Sequence, residues 1–357
     1  MNSFNAAAPV YSLFVKPQGF YINGFINMPY IRYYFIFLSL VYVISVMGNS
    51  LILFIISMER SLHTPKYVAL FNLAVADMCT STAIIPKMIE TFLFDARFIT
   101  YEACLANMFF AFLFPTMQSL TLVILAYDRF VAICFPLNYH IIITNNRMIV
   151  IITTVWSVAV TIILITVVLI TRLSFCKSTV IESYFCDHGP VYYLACNDKY
   201  PNLVMAFFNI TTVLLVPLVL IILSYICILF ALLKIASQEE RRKAFNTCTS
   251  HLMLVAVFYL PILGIYFAAI TSKINPDIRV LSTSLSCSIP SLLNPFIHAL
   301  KTEEIKESFK KIIKRNRIQQ LRNKLETLHF VGSPKLWEYL GIVPEIVSLL
   351  WTFVGPQ

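Results

Sequence analysis

The chain has 357 residues, of which 59% are hydrophobic and only 13% are charged, about half the charged share of a soluble domain. This composition excludes an ordinary soluble protein and indicates an integral membrane protein. The net charge of +9 does not indicate nucleic-acid binding, because the basic residues lie in short segments between apolar runs and in one tail, where they act as topology signals.

Seven apolar segments follow one another along the chain. Each is long enough to cross a bilayer as a helix, which takes about 20 residues. Strands of a membrane barrel would be about 10 residues long, with alternating polarity. The expected fold is therefore an all-α membrane protein, a bundle of seven transmembrane helices. The predicted spans 1 to 7 are residues 33–57, 67–91, 103–127, 148–171, 201–233, 252–270 and 280–300.

The basic residues are divided unequally between the two sides of the membrane. With the N-terminus outside, the cytosolic segments up to residue 317 hold nearly twice as many Lys and Arg residues as the outer segments. Because cytoplasmic loops carry the excess of basic residues, we predict a multi-pass plasma-membrane protein with an extracellular N-terminus and a cytoplasmic C-terminus. The predicted divisions are an extracellular segment 1–32, a seven-transmembrane domain 33–300, an amphipathic membrane-surface helix 301–317 and a C-terminal extension 318–357 to which the sequence assigns no structure.

An acid and a base stand at the end of span 3, where Asp128 and Arg129 follow the uncharged run 103–127. Charges are costly in lipid and are tolerated at an interface or inside a bundle. The two residues are either ordinary interfacial charges or a switch, in which Arg129 leaves Asp128 to contact a cytosolic partner. Together with the motifs below, the sequence favours the switch.

A further carboxylate, Asp77, lies at mid-membrane depth in span 2. Such a group usually marks a functional or hydrogen-bonded buried site. Asn49 in span 1 and Asn294 in span 7 complete a predicted polar network that links the three spans.

The nine cysteines fall into two groups. Five lie in or beside spans and are expected to be buried thiols. The other four lie at the outer face, an oxidising side where disulfides persist. Four cysteines allow three pairings, among which the sequence alone does not choose. The outer cysteines are Cys104, Cys176, Cys186 and Cys196.

Several motifs stand in order along the spans: Gly48-Asn49, Leu62–Tyr67, Leu73–Asp77, Ala126–Leu137, Ser224-Tyr225, Lys243–His251 and Pro290–Phe296. In this order and at these depths, they resemble the rhodopsin-like G-protein-coupled receptors. The Lys243–His251 run and the extended Tyr-Asp-Arg run are similar to those of odorant receptors in particular. The resemblance covers roughly residues 33 to 317.

The resemblance implies that an odorant binds in the outer half of the bundle and that a heterotrimeric, olfactory stimulatory G protein couples at the inner face. It implies that Arg129 contacts the G protein and that Asp128 is its resting partner. Tyr225 is expected to move toward Arg129 when span 6 moves, and Lys243 and His251 to flank the inner opening.

Three further expectations come from the resemblance. It implies the disulfides Cys104–Cys186 and Cys176–Cys196. It favours the polar network around Asp77 but not sodium binding there, since Gln118 stands where such receptors often have an acid in span 3. His298 departs from the family, which usually has tyrosine at that place in span 7.

Counting helical turns outward from the inner motifs gives a candidate ligand pocket. An apolar cage with a few polar groups suits a small organic ligand, although aromatic stripes also serve to pack helices together. The candidates are Met108, Phe112, Pro115 and Thr116 in span 3, His188 in the loop, Asn209 and Val213 in span 5, and Tyr259, Leu263 and Tyr266 in span 6.

Other protein classes fit less well. A retinal pigment needs a lysine within span 7, and residues 280–300 have none. A transporter or channel would have internal repeats or several ionisable groups at the membrane midplane, and the sequence shows neither. A non-olfactory rhodopsin-like receptor for another small ligand remains the alternative. No constellation of metal ligands, nucleophile and base indicates an enzyme or a cofactor. The expected partners are an odorant, a G protein and membrane lipid, and the oligomeric state is left open.

Overall fold

The computed structural model describes residues 15–25, 30–176, 178–271 and 276–331. For Lys243 and Tyr266, both predicted site residues, it describes the backbone, and their side chains lie outside the described part. The helices are α1 Ile31–Met58, α2 Pro65–Leu93, α3 Tyr101–Cys134, α4 Tyr139–Ile142, α5 Asn145–Thr171, α6 His188–Tyr193, α7 Tyr200–Asn209, α8 Val216–Lys234, α9 Gln238–Thr271, α10 Pro276–Lys301 and α11 Glu303–Val331.

Seven stretches of helix within the described residues are long and apolar enough to cross a membrane. Spans 1 to 4 are α1, α2, α3 and α5, span 5 is α7 with α8, and spans 6 and 7 are α9 and α10. The predicted seven-helix fold is confirmed. The helices are longer than the apolar runs because backbone hydrogen bonding continues past the hydrocarbon region. Helix α3 therefore carries Asp128 and Arg129 on its last turns.

Threonine caps fix where two spans begin. The hydroxyl of Thr100 accepts a hydrogen bond from the backbone N–H of Ala103 at the start of α3, and Thr144 does the same for Arg147 at the start of α5. Each cap satisfies an N–H group that has no partner within its own helix. The caps therefore define the entry points of spans 3 and 4.

Span 5 is not a uniform helix. A π-helical segment, Ile210–Leu215, joins α7 to α8 and ends just before Pro217. A π-turn inserts an extra residue into the helical ladder, so the two halves of span 5 are rotated relative to a regular helix. Counting turns along the sequence assumed regular geometry here and could not foresee this rotation.

A small sheet covers one end of span 3. Strand β1, Gly19–Ile22, lies between β2, Phe98–Thr100, and β3, Val180–Ile181. It runs antiparallel to β2 and parallel to β3. Phe20 and Ile22 are fully buried and pack with residues of α3 and of the loop after α5. The sequence had not predicted these strands.

Two disulfides lie at the same end of the bundle as the sheet. Cys104 of α3 is bonded to Cys186, and Cys176 to Cys196, the two pairs that the resemblance implied. We call this end of the bundle the disulfide end. The end where α3 carries Arg129 is called the Arg129 end.

Helix α11 belongs to a separate compact unit that begins at Glu303. Two acids, Glu303 and Glu304, occupy its first turn, where the helix dipole favours negative charge. Lys306 forms an ion pair of 2.8 Å with Glu303. The helix runs to Val331, past residue 317, and residues 332–357 of the predicted extension lie outside the described residues.

Candidate functional site

The charged pair at the end of α3 is closely held. Arg129 Nη2 lies 3.5 Å from Asp128 Oδ2, and the side chains are only 14% and 1% exposed. The hydroxyl of Tyr139 donates to Asp128 Oδ1 at 2.8 Å. A buried carboxylate is costly unless it is paired and hydrogen-bonded. Asp128 therefore has partners on two sides, and the Arg129 contact is the longer of the two.

Sequence reasoning missed Tyr139. This residue begins the short helix α4, after the turn Pro136–Asn138, just beyond the motif that ends at Leu137. Burial, and then the neighbouring Asp128, raise the pKa of Tyr139 above its ordinary value. The phenol therefore keeps its proton and acts as a donor to Asp128.

A histidine joins three spans near the Arg129 end. The hydroxyl of Tyr225 in α8 lies 2.8 Å from Nδ1 of His251 in α9. Nε2 of His251 lies 3.1 Å from the carbonyl oxygen of Leu122 in α3. Because a carbonyl only accepts, the ring proton is assigned to Nε2, and Nδ1 accepts from Tyr225. We call these three groups the His251 latch.

The latch differs in two ways from what the sequence suggested. The rings of Tyr225 and His251 are stacked, with centroids 5.7 Å apart and 8° between their planes, so Tyr225 is engaged by His251 in this structure. His251 does not flank an opening, because it is 4% exposed. The sequence named both residues, but only the fold shows that they are bonded to each other.

Asp77 is the centre of a hydrogen-bonded network between spans 2, 3 and 7. Gln118 Nε2 donates to its Oδ1 at 2.6 Å, and Asn294 Nδ2 donates to its Oδ2 at 2.8 Å. Gln118 also donates to the hydroxyl of Ser291 at 3.1 Å. Both carboxylate oxygens thus have amide donors, which is how a buried carboxylate is tolerated.

Asn49 is linked to Asp77 only indirectly. Its Nδ2 donates to the backbone carbonyls of Ser45 and Ser291, each at 2.9 Å. Span 1 therefore meets span 7 through backbone groups that side-chain types do not reveal. Among the described residues, no group of three or more His, Cys, Asp or Glu side chains is arranged to hold a metal ion.

Two predicted pocket residues, Tyr259 of span 6 and Val213 of span 5, meet span 3 in mid-bundle. The hydroxyls of Tyr259 and Ser119 lie 2.8 Å apart. Ser119 donates to the carbonyl oxygen of Val213 at 2.6 Å, so Tyr259 donates to Ser119. Val213 lies in the π-helical segment of span 5. Ser119 was not identified from the sequence, because its role depends on this three-span contact.

The predicted pocket residues of span 3 lie in tight packing. Met108 is fully buried beneath the sheet, and Phe112 packs against the same cluster. The ring of Phe112 lies 5.8 Å from that of Phe185 in the loop after α5. Thr116 is buried and donates to the carbonyl of Phe112. Pro115 and Leu263 are partly buried.

Four polar side chains toward the disulfide end keep buried atoms without a hydrogen-bond partner in the described part of the chain. These atoms are Oγ1 of Thr91, Nε2 of His188, both polar atoms of Asn202 and Oδ1 of Asn209. Asn209 uses its Nδ2 to donate to Thr166 at 2.9 Å. Most buried polar groups have hydrogen-bond partners, so several unpartnered groups at one end of the bundle mark a candidate site for a polar group of a ligand. Asn202 was missed, because a single asparagine near the end of a span carries no motif.

The two residues that follow Cys186, Asp187 and His188, both have shifted pKa values. Burial lowers the pKa of His188 to about 4. Burial raises the pKa of Asp187 to about 6, although the N–H of Gly189 and the charge of Arg279 oppose that shift. His188 is therefore neutral at pH 7, and its free Nε2 is a neutral hydrogen-bonding group.

Comparison with known proteins identifies the family. The family model described as "Olfactory receptor" matches residues 38–316. Human olfactory receptor 51F2 is 38% identical over 275 residues, covering 77% of this chain and 80% of that receptor. Rat olfactory receptor 1500 is 34% identical over 285 residues (80% and 90%), and human olfactory receptor 1F1 is 35% identical over 281 residues (79% and 90%). The chain therefore belongs to the olfactory receptor family, whose members are multi-pass membrane receptors that couple to G proteins.

Proposed function

We propose that this receptor binds a small odorant near the disulfide end and activates a heterotrimeric, olfactory stimulatory G protein at the Arg129 end. The disulfide end is extracellular and the Arg129 end cytosolic, with the N-terminus outside. Two observations support this orientation. Disulfides form on the oxidising side of a membrane, and the basic residues are concentrated on the opposite side.

The odorant site lies among spans 3, 5 and 6 beneath the loop that carries His188. The unpartnered atoms of His188, Asn202 and Asn209 support a ligand with at least one hydrogen-bonding group. A few polar groups in an apolar surrounding are the usual composition of a small-molecule site. Val213, one turn along span 5 from Asn209, accepts a hydrogen bond from Ser119, which accepts one from Tyr259 in mid-bundle.

The His251 latch is the observation that carries the mechanism. It joins α3, α8 and α9 by two hydrogen bonds close to Arg129, so outward movement of α9 must break it. An odorant activates the receptor if it binds better when the latch is open, because a ligand shifts an equilibrium only by its differential affinity. The opened end then exposes Arg129 to the G protein. The Asp77 network forms a fixed hydrogen-bonded centre between spans 2, 3 and 7.

The test replaces Arg129 with alanine and measures cyclic AMP in cells that contain the olfactory G protein, during a screen with an odorant panel. We expect Arg129→Ala to lose most of the odorant response while reaching the cell surface. Arg60→Ala is the control, because Arg60 is exposed and lies in the short segment between α1 and α2. A full response from a well-expressed Arg129→Ala receptor would remove Arg129 from its proposed role.

A further inference from the structure

A groove of about 390 Å³ lies between α8 and α9 near the Arg129 end. This volume is within the range of small-molecule sites, about 300 to 1,000 Å³. Neither the His251 latch nor Arg129 lines it. We call it the α8–α9 groove, and its lining residues are Leu229, Leu232, Leu233, Gln238, Arg241, Arg242 and Phe245.

The α8–α9 groove has an apolar end and a polar end. Leu229 and Leu233 lie one helical turn apart on α8, and Leu229 is the deeper of the two in the bundle. Arg241 lies four residues before Phe245 on α9, so both are on the same helix face. Because α9 runs into the bundle from Gln238, the arginines lie nearer the Arg129 end of the groove and Phe245 lies deeper.

The walls of the groove face away from the bundle interior. Leu229, Leu233 and Phe245 are 56%, 67% and 60% exposed, whereas Leu232 is 7% exposed. Leu232 packs in the cluster that contains Cys248 and residues of α3, so it lies at the interior side of the groove. Large apolar side chains exposed in this way beside membrane spans are suited to contact with lipid tails.

The two arginines retain their charge for an external partner. Arg241 and Arg242 are exposed, and neither guanidinium forms an ion pair with a carboxylate of the described residues. Glu239 and Glu240 precede them on the first turn of α9 but do not line the groove. The polar end of the groove is therefore a site of positive charge with several N–H donors.

We propose that the α8–α9 groove binds one anionic phospholipid of the cytoplasmic leaflet. The headgroup phosphate is bound by Arg241 and Arg242, and an acyl chain lies along Leu229, Leu233 and Phe245. Arginine forms bidentate hydrogen bonds with phosphate oxygens, and the cytoplasmic leaflet is rich in anionic lipids. The assignment to this leaflet rests on the orientation proposed above, whereas the binding itself does not.

The order of groups along the groove favours a lipid over a soluble phosphate or a protein. A soluble anion would use the arginines but not the exposed leucines. A docked G protein would enter between α3, α8 and α9, where Arg129 lies, and not on the outward side of α8 and α9. A phospholipid has a charged end followed by an apolar end, which is the order of the groups along the groove.

The test measures lipid retention by the full-length receptor, purified in a neutral detergent and loaded with phosphatidylinositol bisphosphate or with phosphatidylcholine. Native mass spectrometry counts the bound lipids. We expect the wild type to retain the anionic lipid in preference to the neutral one. We expect each of Arg241→Gln and Arg242→Gln to weaken binding of the anionic lipid about fivefold, because each removes one basic contact of about 1 kcal/mol. The double variant should weaken binding about 25-fold.

Two matched controls separate a built site from general charge and general hydrophobicity. Arg60→Gln removes an exposed arginine from the segment between α1 and α2, and Phe230→Ala removes an exposed phenylalanine of α8 that does not line the groove. Both should bind as the wild type does, whereas Phe245→Ala should lower retention. The controls also show whether a loss reflects poor folding, since all variants are compared at equal monodispersity.

Several results would overturn the proposal. One is unchanged retention in the double arginine variant; another is an equal loss in Arg60→Gln. A third is full competition by soluble inositol trisphosphate with no effect of Phe245→Ala, which would identify a soluble-anion site. A double variant that keeps the lipid but binds purified G protein more weakly would identify the groove as a protein contact.

Discussion

The two ends of this receptor are held together by different kinds of interaction. At the disulfide end, one disulfide joins the loop after α5 to α3 and a second closes that loop on itself. A three-stranded sheet and a closely packed aromatic cluster add further contacts with α3. At the Arg129 end, the connections are a small apolar cluster around Cys248, single hydrogen bonds and one ion pair, with no disulfide among the described residues. Each of those hydrogen bonds contributes about 1 kcal/mol, so we expect this end to open at a lower cost than the disulfide end. The mechanism proposed above, in which an odorant binds at one end and helices move at the other, relies on this asymmetry.

The largest expected effect comes from removing the covalent link of the disulfide end. Replacing Cys104 and Cys186 together with serine should cost about 2 to 5 kcal/mol of stability and abolish most surface expression. The paired variant of Cys176 and Cys196 should cost less, because that bond closes 20 residues rather than 82. Thermal unfolding of purified receptor and surface staining measure both. The reverse order of the two losses would show that loop closure is not the main source of stability.

The next effect comes from opening the Arg129 end. His251→Phe keeps a ring in place but removes both hydrogen bonds of the latch, each contributing about 1 kcal/mol. We expect the equilibrium to shift roughly tenfold or more toward the open state. Cyclic AMP without odorant should therefore rise at equal surface expression.

Tyr225→Phe is the matched partial change, since it keeps the bond from His251 to the Leu122 carbonyl. It removes the bond of the Tyr225 hydroxyl to Nδ1 of His251 and its longer bond, 3.4 Å, to the carbonyl oxygen of Cys248. It should raise the odorant-free signal less than His251→Phe does. Basal signalling that stays at the wild-type level in a well-expressed His251→Phe receptor would show that the latch does not restrain activation.

The pH dependence of the disulfide end gives a smaller effect with a defined sign. The pKa of His188 is lowered from 6.5 to about 4 in the folded receptor, so its stabilising contribution is complete above pH 6.5 and is lost as the pH falls toward 4. Between pH 7 and pH 5 this loss is on the order of 1 to 2 kcal/mol. His188→Gln should show a smaller decrease of the melting temperature over that interval.

Asp187 should act in the opposite direction. Its pKa is raised from 3.8 to about 6, so the folded receptor binds its proton more tightly and loses stability as the pH rises from about 4 to 6. Asp187→Asn should therefore make the receptor less destabilised at pH 6 relative to pH 4. Melting curves at pH 4, 5, 6 and 7 test both residues. A pH dependence of the melting temperature equal to that of the wild type in both variants would contradict the assigned burial.

The smallest effect compares equivalent helix caps at the two ends. Thr100→Ala and Thr144→Ala each remove one capping hydrogen bond and should each cost about 1 kcal/mol of stability. Neither cap touches the latch, so basal cyclic AMP should stay at the wild-type level in both. A rise in basal signalling from Thr144→Ala alone would show that the start of α5 also restrains the Arg129 end.

The sequence by itself determined the seven spans, because apolar length and the exclusion of charge reflect the thickness of a bilayer and need no tertiary contact. The resemblance of its motifs to a known family also placed Asp128, Arg129, Tyr225 and His251 in one functional region, which their spacing alone does not do. The four outer cysteines were evident from their position, although their pairing followed from the resemblance and not from the spacing.

Only the tertiary structure decided which groups are bonded to which. Tyr139 reaches Asp128 across a turn, Ser119 bridges Tyr259 to a backbone carbonyl, and strand β1 pairs with two distant segments. The π-helical segment of span 5 rotates its side chains away from the regular count. These contacts depend on how helices are rotated and spaced against one another. Packing sets that geometry, whereas hydropathy along a single chain records only which segments enter the membrane.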